Sequence, residues 1–210
     1  MPDTAAIGAL DPDSPFKYVG GDAALDLVNT VDWTSTGTRR DRLITYDRLA
    51  DWAEGAGIVP PDVAVCLRRA ARGDPDRGRK AVRAARRTRE VLRNAFQDSA
   101  LGECAGPELH ALNGLLSETL PRLRLEASGP RVVFSWDEWG EDPSCLLWPV
   151  IFSAATLLTS EEASRIGMCP GDDCGWMFVD RSRNGLRRWC EMATCGTTAK
   201  NRRRRAGPRP

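Results

Sequence analysis

Apolar residues recur with helical spacing along most of this chain, starting close to its N-terminal end. The segment DAALDLVNTV follows two glycines and predicts a helix with Asp22 as its N-cap. The segment TYDRLADWAEGAGIV predicts another helix, capped by Thr45, with Leu49, Trp52 and Ala53 on one face. PPDVAVCLRRAARG predicts a short third helix that prolines open. The pattern therefore favours a body of packed helices.

The longest predicted helix covers residues 74–100. Its apolar stripe consists of Ala81, Ala85, Leu92 and Phe96. The rest of its surface is basic and carries Arg79, Lys80, Arg83, Arg86, Arg87 and Arg93. Such a helix could touch nucleic acid, but a solvated face whose arginine stems cover apolar surface is the commoner outcome. We prefer the solvated face.

The second half of the body adds a hairpin to the helices. PELHALNGLLSETLP predicts an amphipathic helix, and RLRLEASGPRVVFSW predicts a β-hairpin around a Ser-Gly-Pro turn. CLLWPVIFSAATLL is apolar almost all round, which predicts a central buried helix with Pro149 near its first turn. We expect an α+β fold: a mainly helical body with a small β-hairpin, followed by a small C-terminal unit. The predicted boundaries are 1–15 (disordered), 16–165 (body), 166–206 (C-terminal unit) and 207–210 (tail).

Composition and charge separate the C-terminal unit from the body. The chain has 41% apolar and 28% charged residues, which is ordinary for a globular protein. The first fifteen residues lack a secretory pattern and no stretch reaches 18 apolar residues, so we expect a cytoplasmic protein with reduced thiols and no membrane partner. The net charge of +1 hides an asymmetry, because residues 169–210 hold ten basic and four acidic side chains. This imbalance points to a polyanionic partner for the tail.

Four of the seven cysteines lie in this tail, in two pairs of equal spacing. Cys169 and Cys174 are separated by four residues, as are Cys190 and Cys195, and fifteen residues lie between the pairs. Four soft ligands suit tetrahedral zinc and leave no open position for water, so we expect one structural Zn²⁺. The alternatives are two disulfides or four unpaired thiols.

The segments around the cysteines predict a treble-clef-like zinc finger. We expect a strand at residues 176–179, a turn at 183–185, a return strand at 186–189, and a helix over AKNRRRRA after the last cysteine. A unit with so small an apolar core would depend on its metal to stay folded.

The tail closely resembles the CGNR-type zinc fingers. The matching segments are Cys174-Gly175-Trp176-Met177-Phe178, Asp180-Arg181-Ser182-Arg183-Asn184-Gly185 and Arg187-Arg188-Trp189-Cys190-Glu191-Met192. The chain departs from the family at the motif that names it, since Cys195-Gly196 is followed by Thr197-Thr198 instead of Asn-Arg. If the family's arginine contacts a phosphate, Thr198 cannot replace its charge, whereas Thr197 can still cap a helix.

The segment GGDAALDLVNT resembles the start of the ABATE domain, which precedes that finger in its family. Together the two resemblances cover nearly the whole chain. They imply a stress-related transcriptional regulator.

The cations that follow the last cysteine make DNA the expected partner. Phosphate neutralisation by such a cluster gives salt-dependent binding. The alternatives are a solubilising tail and a patch for an acidic protein, with the finger then acting as a protein-interaction module. The predicted nucleic-acid-binding residues are Arg187, Arg188, Lys200, Arg202, Arg203 and Arg204.

The large body requires a role of its own, which we expect to be ligand sensing, homodimerisation or both. Asp22, Asp26, Asn29 and Trp33 fall on one side of the first helix, where they could line a small-molecule pocket. Equally, Asp22 is a cap and the others face solvent or bond a neighbouring loop. The body has no nucleophilic triad, no phosphate loop and only one histidine, His110, so we expect no enzyme activity and no catalytic residues.

Overall fold

A computed structural model describes residues 15–33, 39–103, 106–171 and 174–205 of the chain. The segment 1–14 of the predicted disordered end and the tail 207–210 lie outside these residues. The predicted α+β class is confirmed: helices form most of the body and three two-stranded antiparallel sheets accompany them. The helices are α1 (Ala23–Val28), α2 (Tyr46–Gly55), α3 (Pro61–Gly73), α4 (Pro75–Ala100), α5 (Gly106–Thr119), α6 (Trp148–Leu158) and α7 (Thr197–Arg205). The strands are β1 (Val31–Trp33), β2 (Arg39–Asp41), β3 (Leu123–Ser128), β4 (Arg131–Trp136), β5 (Ile166–Met168) and β6 (Met177–Val179).

The predicted caps start the first two helices. Asp22 accepts a hydrogen bond from the Ala24 N–H at 2.8 Å, and Thr45 accepts one from the Arg48 N–H at 3.2 Å. Each cap satisfies an amide that has no partner within its helix. The predicted apolar residues of α2 and α4 are buried in one core cluster with α1 and α6.

The arginines of α4 play several structural roles. Arg83 and Arg87 are exposed, as a solvated face requires. Arg86 instead donates to the Leu43 carbonyl at 2.7 Å, and Arg93 donates to the Gly175 carbonyl at 3.1 Å. The basic surface of α4 therefore helps to fasten loops and the C-terminal unit to the body.

A largely buried ion pair joins helix α4 to strand β2. Arg89 of α4 makes two hydrogen bonds to Asp41 of β2, at 2.8 and 2.7 Å, and a third to Thr30 at 3.1 Å. Burial opposes ionisation of Asp41, but the hydrogen bonds and charge of Arg89 outweigh it and hold the pKa of Asp41 below its ordinary value. Strands β1 and β2 pair directly beside this ion pair. The sequence predicted neither of these two strands.

The predicted hairpin and central helix are both present. β3 pairs with β4 around a Gly129-Pro130 turn, and Phe134 of β4 packs against Phe152 of α6 with their ring centroids 5.1 Å apart. Pro149 lies in the first turn of α6, where its missing N–H costs no helical bond. Among the described residues, no helix is long and apolar enough to cross a membrane.

The C-terminal unit pairs its strands differently from the prediction. β6 pairs with β5, which precedes the first cysteine, and residues 186–189 form no strand, so the predicted hairpin between 176–179 and 186–189 is wrong. The other edge of β6 is bonded to the body by Asn29 and by the Gly20 carbonyl. Met177 and Val179 thereby join the core cluster of the helical body.

Candidate metal centre and basic surface

Two turns and a helix start bring the four cysteines of the tail together. Cys169 directly follows β5, and its N–H donates to the Trp176 carbonyl at 2.7 Å, which closes the loop that carries Cys174. Cys190 lies before a π-helical turn, Met192–Gly196, and Cys195 lies within that turn immediately before α7. The last ligand thus sits at the start of the basic helix, as predicted.

The sulfur positions fit one zinc ion. All four Sγ atoms lie within 4.8 Å of one another, with Cys174 and Cys190 3.5 Å apart and Cys190 and Cys195 3.6 Å apart. Disulfide sulfurs would be about 2.05 Å apart, whereas a tetrahedral shell with Zn–S distances of about 2.3 Å places its sulfurs about 3.8 Å apart. A Cβ at Gly171 would lie 3.2 Å from the Cys195 Sγ, so a larger residue at this position would crowd the sulfur cluster.

The thiols need a cation in order to ionise together. The neighbouring Cys190 thiol and burial raise the pKa of Cys174 well above its usual range, and burial together with Cys174 raises the pKa of Cys195 to about 11. A bound dication reverses this effect because it stabilises thiolates. The four cysteines form a site for one structural zinc ion, closed to water by its own ligands.

Arg187 is half-buried, and its guanidinium is bonded within the fold. Its guanidinium donates to the Cys190 carbonyl at 2.6 Å and the Val19 carbonyl at 2.8 Å, with further bonds to the Trp189 and Val179 carbonyls, and it lies 4.2 Å from the centroid of the Phe178 ring. These contacts correct the expectation that Arg187 faces nucleic acid, since its donors are used within the fold.

The remaining predicted cations lie on two sides of α7. A surface groove of about 660 Å³ collects most of them, and its lining contains cations and no carboxylate. We call the exposed residues Arg188, Lys200, Arg203 and Arg204 of this lining the basic groove. Trp189 and Met192 form its floor.

Arg202 lines a different cavity, between the finger and the body. This cleft is bounded by Thr198 and Arg202 of α7 and by Asp32 of the body, and it opens onto the metal site. Its lining also contains Trp176, Trp189, Cys174, Cys190 and Cys195. The position at which the family pattern has arginine therefore faces the body and not the basic groove.

The residues predicted to line a pocket along α1 make hydrogen bonds within the described part of the fold. Asp26 accepts a hydrogen bond from the Gly20 N–H at 2.8 Å, and Asn29 bonds the backbone of Met177. Asp22 caps α1 and accepts from the Ser153 hydroxyl at 2.8 Å. The side chain of Trp33 is not among those that the structure describes. Three of the four predicted pocket residues thus hold the fold together, which corrects that prediction.

The turn at residues 180–186 is a feature to which the sequence analysis assigned no function. Asp180 accepts hydrogen bonds from the N–H groups of Ser182 and Arg187, both at 2.8 Å. Arg181 pairs with both carboxylate oxygens of Glu162, at 2.6 and 2.7 Å. The Asp-x-Ser-Arg-Asn-Gly motif is the feature of the sequence that indicates this turn. An aspartate that accepts hydrogen bonds from nearby backbone amides, ahead of an Asn-Gly pair, is typical of a rigid turn.

Comparison with known protein families gives two matches that follow each other along the chain. The model for ABATE, described as "Putative stress-induced transcription regulator", matches residues 21–161. The model for the CGNR zinc finger matches residues 165–207. No curated protein matches the sequence.

Proposed function

Because the chain belongs to the ABATE family and carries a CGNR zinc finger, we propose that it regulates transcription by binding DNA through its basic groove. In this proposal the finger contacts the phosphate backbone and the helical body supplies sensing or dimerisation. The protein acts by binding and not by catalysis.

The basic groove is the observation that carries this proposal. Four exposed cations line one groove without a carboxylate among them, and the helix that bears three of them starts directly after a zinc ligand. A helix held in this way loses little conformational entropy on binding, so more of the electrostatic attraction appears as affinity. A polyanion with closely spaced phosphates is the partner that such a surface favours.

The test is a salt series with the zinc-loaded, full-length protein and fluorescent duplex DNA. If four phosphates are neutralised, log affinity should fall against log salt with a slope of about −4. The double variant Arg203→Ala/Arg204→Ala should flatten the slope by about 2. The control variant Lys80→Ala/Arg83→Ala removes two exposed cations from α4 and should leave the slope unchanged. Absence of salt-dependent binding to any duplex would favour the alternative function, a finger that binds a partner protein.

For ligand sensing, we propose the cleft between finger and body in place of the predicted α1 pocket. The two indoles in its lining suit a flat aromatic compound, which would lie beside the zinc-binding cysteines. A ligand there would contact both the body and α7. Thermal-shift screening of planar aromatic compounds should give a stabilising compound whose effect is lost in Thr198→Arg, a variant that fills the cleft. Equal stabilisation of both proteins would contradict this location.

For homodimerisation, we propose the free end of the β3–β4 hairpin. Leu125, Val132 and Phe134 are 68%, 70% and 59% exposed, and the strand register places all three on one face of the hairpin. A second copy would cover it and would also double the number of basic grooves on one duplex. Light scattering should show a dimer at micromolar concentration, and Leu125→Thr/Val132→Thr should convert it to a monomer. A wild-type monomer at that concentration would rule the interface out.

A further inference from the structure

The turn from Asp180 to Arg187 is rigid at both ends and exposed at its tip. Arg181 and Arg187 anchor the ends by their bonds to Glu162 and to backbone carbonyls. Between them the Gly185 N–H donates to the Ser182 carbonyl at 3.2 Å, and Gly185 has a φ of +62°, a conformation that favours glycine. The tip is therefore preorganised for a partner.

The side chains at this tip combine polar groups with an uncovered apolar residue. Arg183 and Asn184 are exposed, and within the described part of the chain their side chains make no hydrogen bond. Leu186 follows them and is 75% exposed, and the adjacent Met192 is 65% exposed. A rigid turn that holds a leucine in water has a hydrophobic cost that a partner would remove.

This tip continues the basic groove. A second groove, of about 500 Å³, runs along the turn and shares Arg188, Trp189 and Met192 with the basic groove. Arg183 and Asn184 line its far side. The two apolar side chains therefore stand among cations, and no carboxylate lines either groove.

We propose that this turn enters the minor groove of duplex DNA and that Leu186 inserts between two base pairs. The inference rests on the DNA-binding function proposed above. Proteins that bind the minor groove use arginine and asparagine to read its A·T or G·C character and its width, and they insert leucine or methionine at a base step. The cations of the basic groove would hold the adjoining phosphates, and the inserted side chain would kink the duplex.

The charge of the surface favours DNA over its competitors. An apolar tip ringed by cations could also meet an anionic lipid surface or an acidic protein. However, the turn presents an arginine and an amide side by side, and such groups match base edges and phosphates more closely than a fluid lipid interface. Flexible steps such as TA should be preferred, because unstacking them costs least.

Bending of the duplex separates this inference from simple backbone binding. The zinc-loaded, full-length protein is added to a duplex of about 30 base pairs that carries a fluorophore at each end and a central TA step in A·T-rich sequence. Binding of the wild type should shorten the distance between the two ends of the duplex, and the minor-groove ligand distamycin should displace the protein.

Three variants then test the role of the leucine. Leu186→Ala should still bind, about three- to tenfold more weakly, and should lose most of the bend. Arg203→Ala should bind more weakly and keep the bend, and Leu101→Ala, which truncates a comparably exposed leucine of the body, should match the wild type.

Each contrary result identifies what fails. Binding without bending, or an equal bend with Leu186→Ala, would overturn the insertion while leaving the proposed DNA-binding function intact. Failure to bind any duplex would overturn that function and the insertion with it. Binding to vesicles of anionic phospholipid that depends on Leu186, without bending of DNA, would assign the tip to a lipid surface and overturn the inference.

Discussion

Asn29, the residue that caps the C-terminal end of helix α1, forms two hydrogen bonds with the backbone of Met177 in strand β6. Its Nδ2 donates to the Met177 carbonyl, and its Oδ1 accepts from the Met177 N–H, both at 2.8 Å. The side-chain amide thus takes the place of a neighbouring strand at the edge of β6, although 148 residues separate the two positions. Because both residues are buried, this contact ties the finger to the body where water cannot replace it.

Asn29→Ala should therefore destabilise the protein strongly. The substitution leaves a buried N–H and a buried C=O of Met177 without partners, which together cost about 2 to 4 kcal/mol. Urea unfolding should show this decrease in the free energy of unfolding, and Asn113→Ala, at an exposed site of α5, should change it by less than about 0.5 kcal/mol. A loss for Asn29→Ala as small as that of the control would mean that finger and body are held together by other contacts.

Zinc should stabilise the body as well as the finger. Elemental analysis should give about one zinc per chain, since four thiolates fill the coordination shell. Removal of the ion, or Cys190→Ser, should lower the stability of the whole chain, because Met177 and Val179 of the finger lie in the core of the body. Circular dichroism of the helices during unfolding is the measurement, with Cys66→Ser at an exposed cysteine as the control. Metal-free protein with disulfides between these cysteines would contradict the zinc site.

Local signals in the sequence were sufficient for most helices and for the cysteine cluster. Thr45 followed by Leu49, Trp52 and Ala53 predicts both the start and the buried face of α2, and the structure confirms both. The even spacing of the cysteine pairs predicts the cluster in the same way. In each case the residues that determine the feature lie within a few positions of one another.

Features that depend on distant partners were missed. β5 and β6 have three residues each, too few to show a period, and their pairing is decided by the packing of β6 against α1. Likewise, Arg187 and Arg188 are adjacent and chemically identical, so the sequence gives no reason for one to be half-buried and the other exposed. Only the carbonyls that converge around Arg187 distinguish them.

Asp26 should make stability depend on pH. Burial raises the pKa of Asp26 from 3.8 to about 6 against the opposing hydrogen bond from Gly20, and the charge of Asp22 adds to the rise. Folding therefore favours the protonated carboxyl, so this contribution to stability is complete below about pH 4 and is lost as the pH rises through about 6.

Asp26→Asn should remove this dependence. The amide oxygen can still accept from Gly20, and the advantage of the variant over the wild type should grow by about 1 to 1.5 kcal/mol between pH 5 and 8. Urea unfolding at intervals across that range checks the prediction, with Asp62→Asn, at an exposed site of α3, as the control. A difference that stays constant with pH would show that Asp26 ionises as readily in the folded chain as in the unfolded one.

Arg187 and Arg188 provide a matched pair that separates stability from binding. Arg187→Ala leaves several backbone carbonyls without their donor and removes the contact with Phe178, so it should lower the free energy of unfolding by about 2 to 4 kcal/mol. Arg187→Lys should not restore the stability, since one ammonium cannot span carbonyls that a planar guanidinium reaches together.

Arg188→Ala, at an exposed site of the basic groove, is the matched control. It should change the free energy of unfolding by less than about 1 kcal/mol, but it should flatten the slope of log affinity against log salt by about 1. Urea unfolding and the salt series, both at a temperature at which each variant is folded and zinc-bound, supply the two readouts. A normal unfolding curve for Arg187→Ala combined with a flattened salt slope would place Arg187 on the DNA surface and reverse the assignment.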